Sequence, residues 1–595
     1  MTVEQIIVCI VILFLIISLY KSLFGAGFTF IIGISILGIS GILTPSEMMN
    51  GFANEQIAVI IMLLLIGDVI RKSSLIDSLF NRFFKKTFSY KRFLIKLMFP
   101  VAGLSALINN TPLVAILMPY VHNWGKKNNI APSKLLIPLS FAAILGGTAT
   151  LIGTSTNLVV NGMVSDQTLI PGFTSLEIFD FTPVGLSMII IGGFYLAFFG
   201  KALLPDKSDV IDKLSKKTRE YIVEVQVRKE SDLHNKTIKD AKLRNLKGLF
   251  LVEIIRGDKT ITPVTPQTII YEEDLLIFTG NPDTIADMVE SNDSLQPSQL
   301  GMFAKRAKTE MKELVLSPNS NLISKTVKES NFRSKYDASV LAIHRNGERI
   351  SGKIGNVKLI AGDLLLVITG KDFSKITTDS KNFYLLNNIR SIKKLPTLQT
   401  LLIVGGLIIS VVLSSIKLVP LFTSLLVFII VLLLSKISSP KEIVKGINYD
   451  LIFIIALSMA LGAAMTKTNI AYNISHLLLE LIQPYGIFTL CIGIFIITNL
   501  LAAIITNIGA VALIFPISLN LADQLSLDPK PFVLLIAYAA AASFITPIGY
   551  QTNLMVYGPG GYNFKDFFKI GFPLSILFML VAVIGLILQF GLQIN

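Results

Sequence analysis

Two stretches of the chain place asparagine, threonine and glycine where an apolar helix would ordinarily exclude them. The first reads NNTPLVAILMP (109–119) and then GGTATLIGTSTN (146–157); the second reads TNIGAVALIFP (506–516) and then ASFITPIGYQTN (542–553). Asn110 stands nine residues before Pro119 and Asn507 nine before Pro516, while Asn110 to Asn157 is 47 residues and Asn507 to Asn553 is 46. Gly51 and Gly67 are 16 apart, as are Gly446 and Gly462, so four anchors keep an offset of 395 to 397. Side-chain amide and hydroxyl oxygens, with the carbonyls of an unwound helix, are hard ligands for a small cation such as sodium. The N–H groups and positive dipole end of a half-helix suit an anion. Asn109, Asn110, Thr111, Thr154, Ser155, Thr156 and Asn157 supply one such set, and Thr506, Asn507, Thr546, Gln551, Thr552 and Asn553 its mirror. A single Asn-Thr pair would read as a helix cap or as glue between helices. Two matched sets at two breaks point to a transport site built from broken helices.

Charge is missing from these breaks: no Asp, Glu, Lys or Arg lies at either tip. A proton antiporter would use an intramembrane carboxylate. Asp68 is the one candidate inside an apolar span, but Arg71 follows three residues on and the second copy has Ala463 there, so an ion pair at the interface is expected. Asp450 opens its span and also marks an interface, and His122 and Trp124 beside Lys126 read as interface anchors. A neutral polar pocket fits an anion whose charge is offset by co-bound sodium and helix dipoles.

These residues must be positioned by a membrane framework. Of 595 residues 52% are hydrophobic and 15% charged, and the mean hydropathy is +0.67, too apolar for a soluble chain of this length. The first apolar run (Ile6 to Tyr20) has no basic segment before it and no small-residue cleavage site, so a retained helix is expected. Cys9 and Cys491 fall in apolar spans as packing residues and suggest neither a disulfide nor a metal site. The net charge of +14 comes from bases interspersed with acids or clustered beside helices, which gives no nucleic-acid signature.

Basic residues crowd the cytoplasmic ends of spans. Arg71 to Lys96 carries eight bases against Asp77 and belongs inside, whereas the acidic loops Thr44 to Glu55 and Ser165 to Asp180 belong outside. Spans are then expected at 5–20, 23–43 and 56–70, a re-entrant hairpin at 92–123, a span at 133–164 broken at Gly153 to Asn157, and a span at 182–203. Five crossings are odd, so the second copy starts on the opposite side. It holds spans at 397–416, 418–435 and 449–466, a hairpin at 485–520, a broken span at 531–557 and a last span at 568–592. The expected fold is a polytopic α-helical membrane protein, an inverted-topology repeat (1–204 and 396–595) with two re-entrant hairpins and broken helices. Both termini would be external.

Between the repeats, residues 206–392 form a cytoplasmic α+β insert of two repeated modules, 206–300 and 301–392. LHNKTIKD (233–240) matches LISKTVKE (322–329), and EEDLLIFTG (272–280) matches AGDLLLVITG (361–370). Ile222 to Val227, Phe250 to Ile255 and Ala338 to Ile343 alternate as strands do, and a polar helical linker is expected around Met302 to Glu313. No G-x-G-x-x-G follows a strand, so nothing supports a dinucleotide. His234 and His344 lack ligand-spaced partners and read as surface residues.

The NNT tip and the GGTATLIGTSTN break resemble the Ser-Asn-Thr hairpin motif and the following break of the divalent-anion:sodium symporters, within the ion transporter superfamily. The resemblance covers both repeats. It implies a non-enzymatic elevator-type transporter, a homodimer in the cell (inner) membrane, carrying a small anion with sodium ions and no covalent cofactor. By position it implies sodium sites at Asn109, Asn110, Gly153 and Asn157, and at Thr506, Asn507, Gly549 and Asn553. The anion would lie between them, near Asn110, Thr111, Thr154, Asn507, Ile508 and Thr552. Asn109 and Thr506 stand where the motif has serines, and Ile508 where it has a threonine, which weakens dicarboxylate binding and leaves sulfate or another small oxyanion. The insert is similar to paired TrkA-type C-terminal (RCK-C) regulatory domains, which bind small ligands or ions; some members with such inserts resemble sulfate permeases. An antiporter or metalloid-anion exporter of the same superfamily, and a non-transporting sensor, stay open.

Overall fold

Inside a bilayer, backbone N–H and C=O groups must be satisfied within the protein, so apolar runs of this length fold as helices. The computed structural model describes residues 2–21, 23–72, 89–173, 175–207, 222–243, 249–257, 259–261, 264–280, 294–297, 310–345, 348–350, 354–370, 372–377, 382–386, 397–440 and 449–592. Among these, four helices are long and apolar enough to span a membrane alone: Val3–Lys21, Thr182–Leu203, Gly486–Ile504 and Phe564–Phe590. Three bent pairs qualify when each is taken as one span, among them Pro45–Ala53 with Glu55–Gly67 at 41° and Ile452–Lys467 with Ile470–Ile482 at 70°. Leucine, isoleucine and phenylalanine stand exposed around the outside (Phe198, Leu401 and Leu434 among them), as a lipid-facing surface requires. This is a polytopic α-helical membrane protein.

The element order repeats. The first copy runs Val3–Lys21, Ala26–Ile39, Glu55–Lys72, the pair Tyr90–Ser105 and Asn110–Lys127, the pair Leu136–Gly147 and Ser155–Asp166, then Thr182–Leu203. The second runs Thr397–Ser415, Leu421–Leu434, Tyr449–Lys467, the pair Gly486–Ile504 and Asn507–Gln524, the pair Pro529–Ala541 and Gln551–Tyr557, then Phe564–Phe590. The packing between copies is reciprocal. Ala26–Ile39 lies on Tyr449–Lys467 as Leu421–Leu434 lies on Glu55–Lys72; Asn110–Lys127 lies on Gln551–Tyr557 as Asn507–Gln524 lies on Ser155–Asp166.

Polar contacts sort the helix ends onto two faces. On one, Lys417 meets Glu177 at 2.7 Å, Lys530 meets Asp180 at 2.7 Å, Lys467 meets Glu47 at 3.1 Å, and Asn50 donates to Asp166 at 2.7 Å. On the other, Lys207 meets Asp566 at 2.7 Å and Tyr562 donates to the Ser133 carbonyl at 2.8 Å. The three ion pairs of the first face join one repeat to the other, and Lys207, at the start of the insert, pairs with the second repeat.

Outside the helices, two five-stranded sheets share one order. Strands β1 (Ile222–Val227), β2 (Leu249–Arg256), β3 (Lys259–Ile261), β4 (Leu275–Gly280) and β5 (Leu295–Pro297) lie as β3-β2-β4-β1-β5. Strands β6 (Glu310–Leu316), β7 (Ala338–Arg345), β8 (Glu348–Arg349), β9 (Leu364–Thr369) and β10 (Phe383–Leu385) lie as β10-β6-β9-β7-β8, the same order read from the other edge. Each sheet carries one arginine clamped on a buried aspartate: Arg256 on Asp274 and Arg345 on Asp363, with Nε to Oδ1 at 2.8 Å in both. The second module also touches the membrane part. Val315, Leu364 and Leu386 belong to the membrane core cluster, and the backbone at Gly362, with φ +83°, abuts Leu554 and Gly558.

Several expectations are corrected. The end of the proposed helical linker, Glu310 to Glu313, is strand β6, because pairing with β9 buries Leu314 and Leu316; residues 302–309 lie outside the described set. Lys312 and Glu313 are buried in that strand, and their charges had suggested a solvated helix. His344 is buried on β7, whereas His234 is exposed. His122 and Trp124 are not lipid-facing anchors: both are buried, and Trp124 stacks on Phe93 of Tyr90–Ser105 with centroids 3.5 Å apart. The helix Ile470–Ile482 was not anticipated, being amphipathic and too short to cross. The Asp68 and Arg71 side chains lie outside the described residues.

Candidate functional site

Each hairpin turns where its sequence supplies an N-cap. Asn109 Oδ1 accepts from Thr111 N at 3.3 Å to start Asn110–Lys127, and Thr506 Oγ1 accepts from Gly509 N at 3.0 Å to start Asn507–Gln524. Each following helix is interrupted, over 148–154 and over 542–550. The two unwound segments are braced alike. Asn157 Nδ2 donates to the Thr150 carbonyl at 2.9 Å, and Asn553 Nδ2 to that of Thr546 at 3.3 Å. Gly153 N donates to Thr150 Oγ1 at 3.1 Å, and Gly549 N to Thr546 Oγ1 at 3.2 Å.

At each tip the asparagine oxygen enters a cluster of three oxygens. Ser105 Oγ lies 2.5 Å from Asn110 Oδ1 and 2.8 Å from the Ala143 carbonyl. Ser543 Oγ lies 3.0 Å from Asn507 Oδ1 and 3.1 Å from the Ala540 carbonyl. A serine hydroxyl has one proton, so at any moment it donates to one of the two oxygens beside it. The donor set is hard oxygen throughout, as sodium prefers. Groups of three or more His, Cys, Asp or Glu that could hold a metal are absent among the described residues.

The serines were missed in the sequence for a physical reason. Ser105 belongs to the hairpin, whereas Ser543 belongs to the break. At the counterpart of Ser105 the second repeat has Ala502, and at the counterpart of Ser543 the first has Gly147. The oxygen is duplicated, the residue is not. Gly147 is needed where it stands, because a Cβ there would lie 2.7 Å from both Asn110 Nδ2 and Oδ1.

Further bonds tie the first tip to the second break. Asn110 Nδ2 donates to Tyr550 Oη at 2.7 Å, Tyr550 Oη lies 3.0 Å from Thr154 Oγ1, and Thr111 Oγ1 donates to Gln551 Oε1 at 3.1 Å. Asn110, Thr111 and Thr154 are thus brought together. Thr552 is placed differently: it and Asn553 Oδ1 accept from Ser140 Oγ at 2.8 and 2.7 Å, behind the tips. Asn157 and Asn553 turn their amide N–H groups onto their own unwound carbonyls. Gly153 would clash with Gly147 O at 2.6 Å if it carried a Cβ, and Gly549 packs on Ser543, so both lie one layer behind the clusters. Ile508 is half-buried at the second tip. Asn109 and Ser155 open onto a small cleft otherwise lined by Ile60, Leu63, Leu64, Leu107, Ile152 and Leu158.

Two inward-facing hairpin tips, two unwound helices and an uncharged polar centre define a membrane transporter rather than an enzyme. The chain belongs to the family described as "Citrate transporter", whose profile matches residues 11–421 and 407–593, and is a secondary transporter related to the divalent-anion:sodium symporters. It is similar to a candidate sulfur deprivation response regulator of Chlamydomonas reinhardtii, 32% identical over 570 residues, covering 93% of this chain and 97% of that protein. An uncharacterized transporter of Synechocystis is 31% identical over 577 residues, covering 94% and 92%. Sodium/sulfate cotransporter 1 of Chlamydomonas reinhardtii is 22% identical over 763 residues, covering 93% and 86%.

Proposed function

We propose that the protein is a sodium-coupled uptake carrier for a small divalent oxyanion, sulfate before dicarboxylates. The observation that carries this reading is the pair of uncharged three-oxygen clusters, Ser105–Asn110–Ala143 and Asn507–Ser543–Ala540, one at each hairpin tip. Of the four helices that begin around this centre, those starting at Asn110, Ser155 and Asn507 are long enough for their N-termini to add positive potential for an anion. The name of the sodium/sulfate relative supports the same cation and anion, and Ile508 at the second tip favours a compact oxyanion over a dicarboxylate. The hairpins and breaks move as one elevator body against the remaining helices, in a homodimer. The sheets lie on the cytoplasmic face as a regulatory pair of TrkA-C-like modules, with both termini outside the inner membrane.

Purified protein in proteoliposomes tests this directly. Sulfate uptake should need an inward sodium gradient, should exceed succinate uptake, and should persist as sulfate counterflow. Arsenite or proton-driven exchange without sodium dependence would replace it with the exporter reading, and absence of any counterflow with the sensor reading.

A further inference from the structure

The offset of 396 that relates the two breaks sets Thr154 against Tyr550. At matched positions, one repeat carries a threonine and the other a phenol, and the two side chains meet at 3.0 Å. The phenol also reaches the first hairpin, accepting from Asn110 Nδ2 at 2.7 Å. The amide of Asn110 is therefore held at both ends: Tyr550 takes its N–H, and its Oδ1 faces Ser105. Asn110 is 1% exposed and Thr154 3% exposed, so both partners of the phenol are buried. In the second repeat the reciprocal bond is missing. Asn507 Oδ1 meets Ser543, but Thr154, which stands where a second phenol would be, is turned to Tyr550 instead. Asn507 is also the more exposed of the two asparagines.

We infer that Tyr550 is a positioning residue for the first cation site: its hydroxyl, fixed between Thr154 and Asn110, aims the Asn110 carbonyl oxygen into the cluster with Ser105 and Ala143. The two sites are consequently unequal. The first is preorganised by a residue from the opposite repeat, and the second adapts to its ion through a less constrained asparagine. On the sodium-coupled reading above, this predicts two sodium-binding phases of different affinity, the tighter one belonging to Asn110.

The test is Y550F, which keeps the ring and removes the hydroxyl, beside T154V, which removes the phenol's second partner, and the double variant. Sodium is titrated against the melting temperature of the full-length protein in detergent, and separately against uptake in proteoliposomes. The loss of one orienting bond should raise the sodium concentration for the tighter phase about fivefold to tenfold. For Y550F the melting temperature without sodium and the maximal uptake rate at saturating sodium should stay near wild type. T154V should weaken the same phase, and the double variant should be no worse than Y550F, because both act through one hydroxyl. A merely structural tyrosine would lower the sodium-free melting temperature and leave sodium affinity alone, which would overturn the assignment. Fully additive effects of Y550F and T154V would overturn it as well. Wild-type protein that shows no sodium response in either measurement would instead overturn the sodium-coupled reading, and this inference with it.

Discussion

Gly147→Ala is the smallest perturbation that separates the oxygen clusters from their surroundings. The added methyl would lie 2.7 Å from both polar atoms of the Asn110 amide and 3.1 Å from its Cγ. Ordinary contact begins near about 3.5 Å, so the amide must recede by roughly half an ångström to one ångström. That movement stretches the 2.7 Å bond to Tyr550 and the 2.5 Å approach of Ser105 together. With each bond contributing about 1 kcal/mol net, the first cluster should lose about 2 kcal/mol of cation affinity, roughly thirtyfold. Ser543→Gly is the mirror perturbation: it removes a 3.0 Å bond to Asn507 without any clash and should cost only about fivefold. The assay is the sodium concentration for half-maximal uptake in proteoliposomes, with the melting temperature recorded to show that the protein is intact. A folded Gly147→Ala protein whose half-saturating sodium lies within about twofold of wild type would refute the placement of a cation at Asn110.

Other outcomes follow from the same geometry. Asn110→Ala and Asn507→Ala should each abolish sodium-driven uptake while the protein still elutes as a single folded species; sodium dependence unchanged in both would remove the site. Arg345→Ala leaves the fully buried Asp363 carboxylate without its clamp, and should destabilise the second sheet by about 3 kcal/mol, read as faster proteolysis of the insert in the full-length chain. Burial pushes the Glu253 carboxyl on β2 from 4.5 up to about 7. A raised carboxyl binds its proton more tightly when folded, so the first module should be most stable below about pH 4.5 and lose that increment as pH rises towards 7. Glu253→Gln should flatten this slope in urea-dependent proteolysis of the insert, and a slope that persists in the variant would assign it elsewhere.

What could be read in the sequence was whatever both copies express in the same residue. Asn110 and Asn507 start helices at hairpin tips, and the breaks begin after Gly147 and Ala541, within the tracts marked by glycine, threonine and proline. The duplicated insert was equally legible, because LHNKTIKD returns as LISKTVKE and EEDLLIFTG as AGDLLLVITG, and the two sheets share one strand order. What escaped was chemistry that the copies perform with different residues. Ser105 and Ser543 offer equivalent oxygens from non-equivalent elements, and Tyr550 hides behind Thr154 in the alignment. Thr552 escaped for the opposite reason. It occupies a conspicuous place in the motif, yet a helix turn of about 100° per residue points it at Ser140 while Gln551 reaches Thr111. Charge misled at Lys312 and Glu313, whose burial depends on strands far along the chain.

The contact between Gly362 and Gly558 carries a mechanical consequence. A Cβ on Gly558 would lie 2.3 Å from the Gly362 carbonyl, so here backbone rests on backbone, with no side chain between to flex or swing aside. Gly558 closes the helix Gln551–Tyr557, whose seven residues make a rod of about 10 Å leading back to Tyr550. The second sheet and the phenol between the repeats are thus joined through one backbone contact and one short helix, about two helical turns apart.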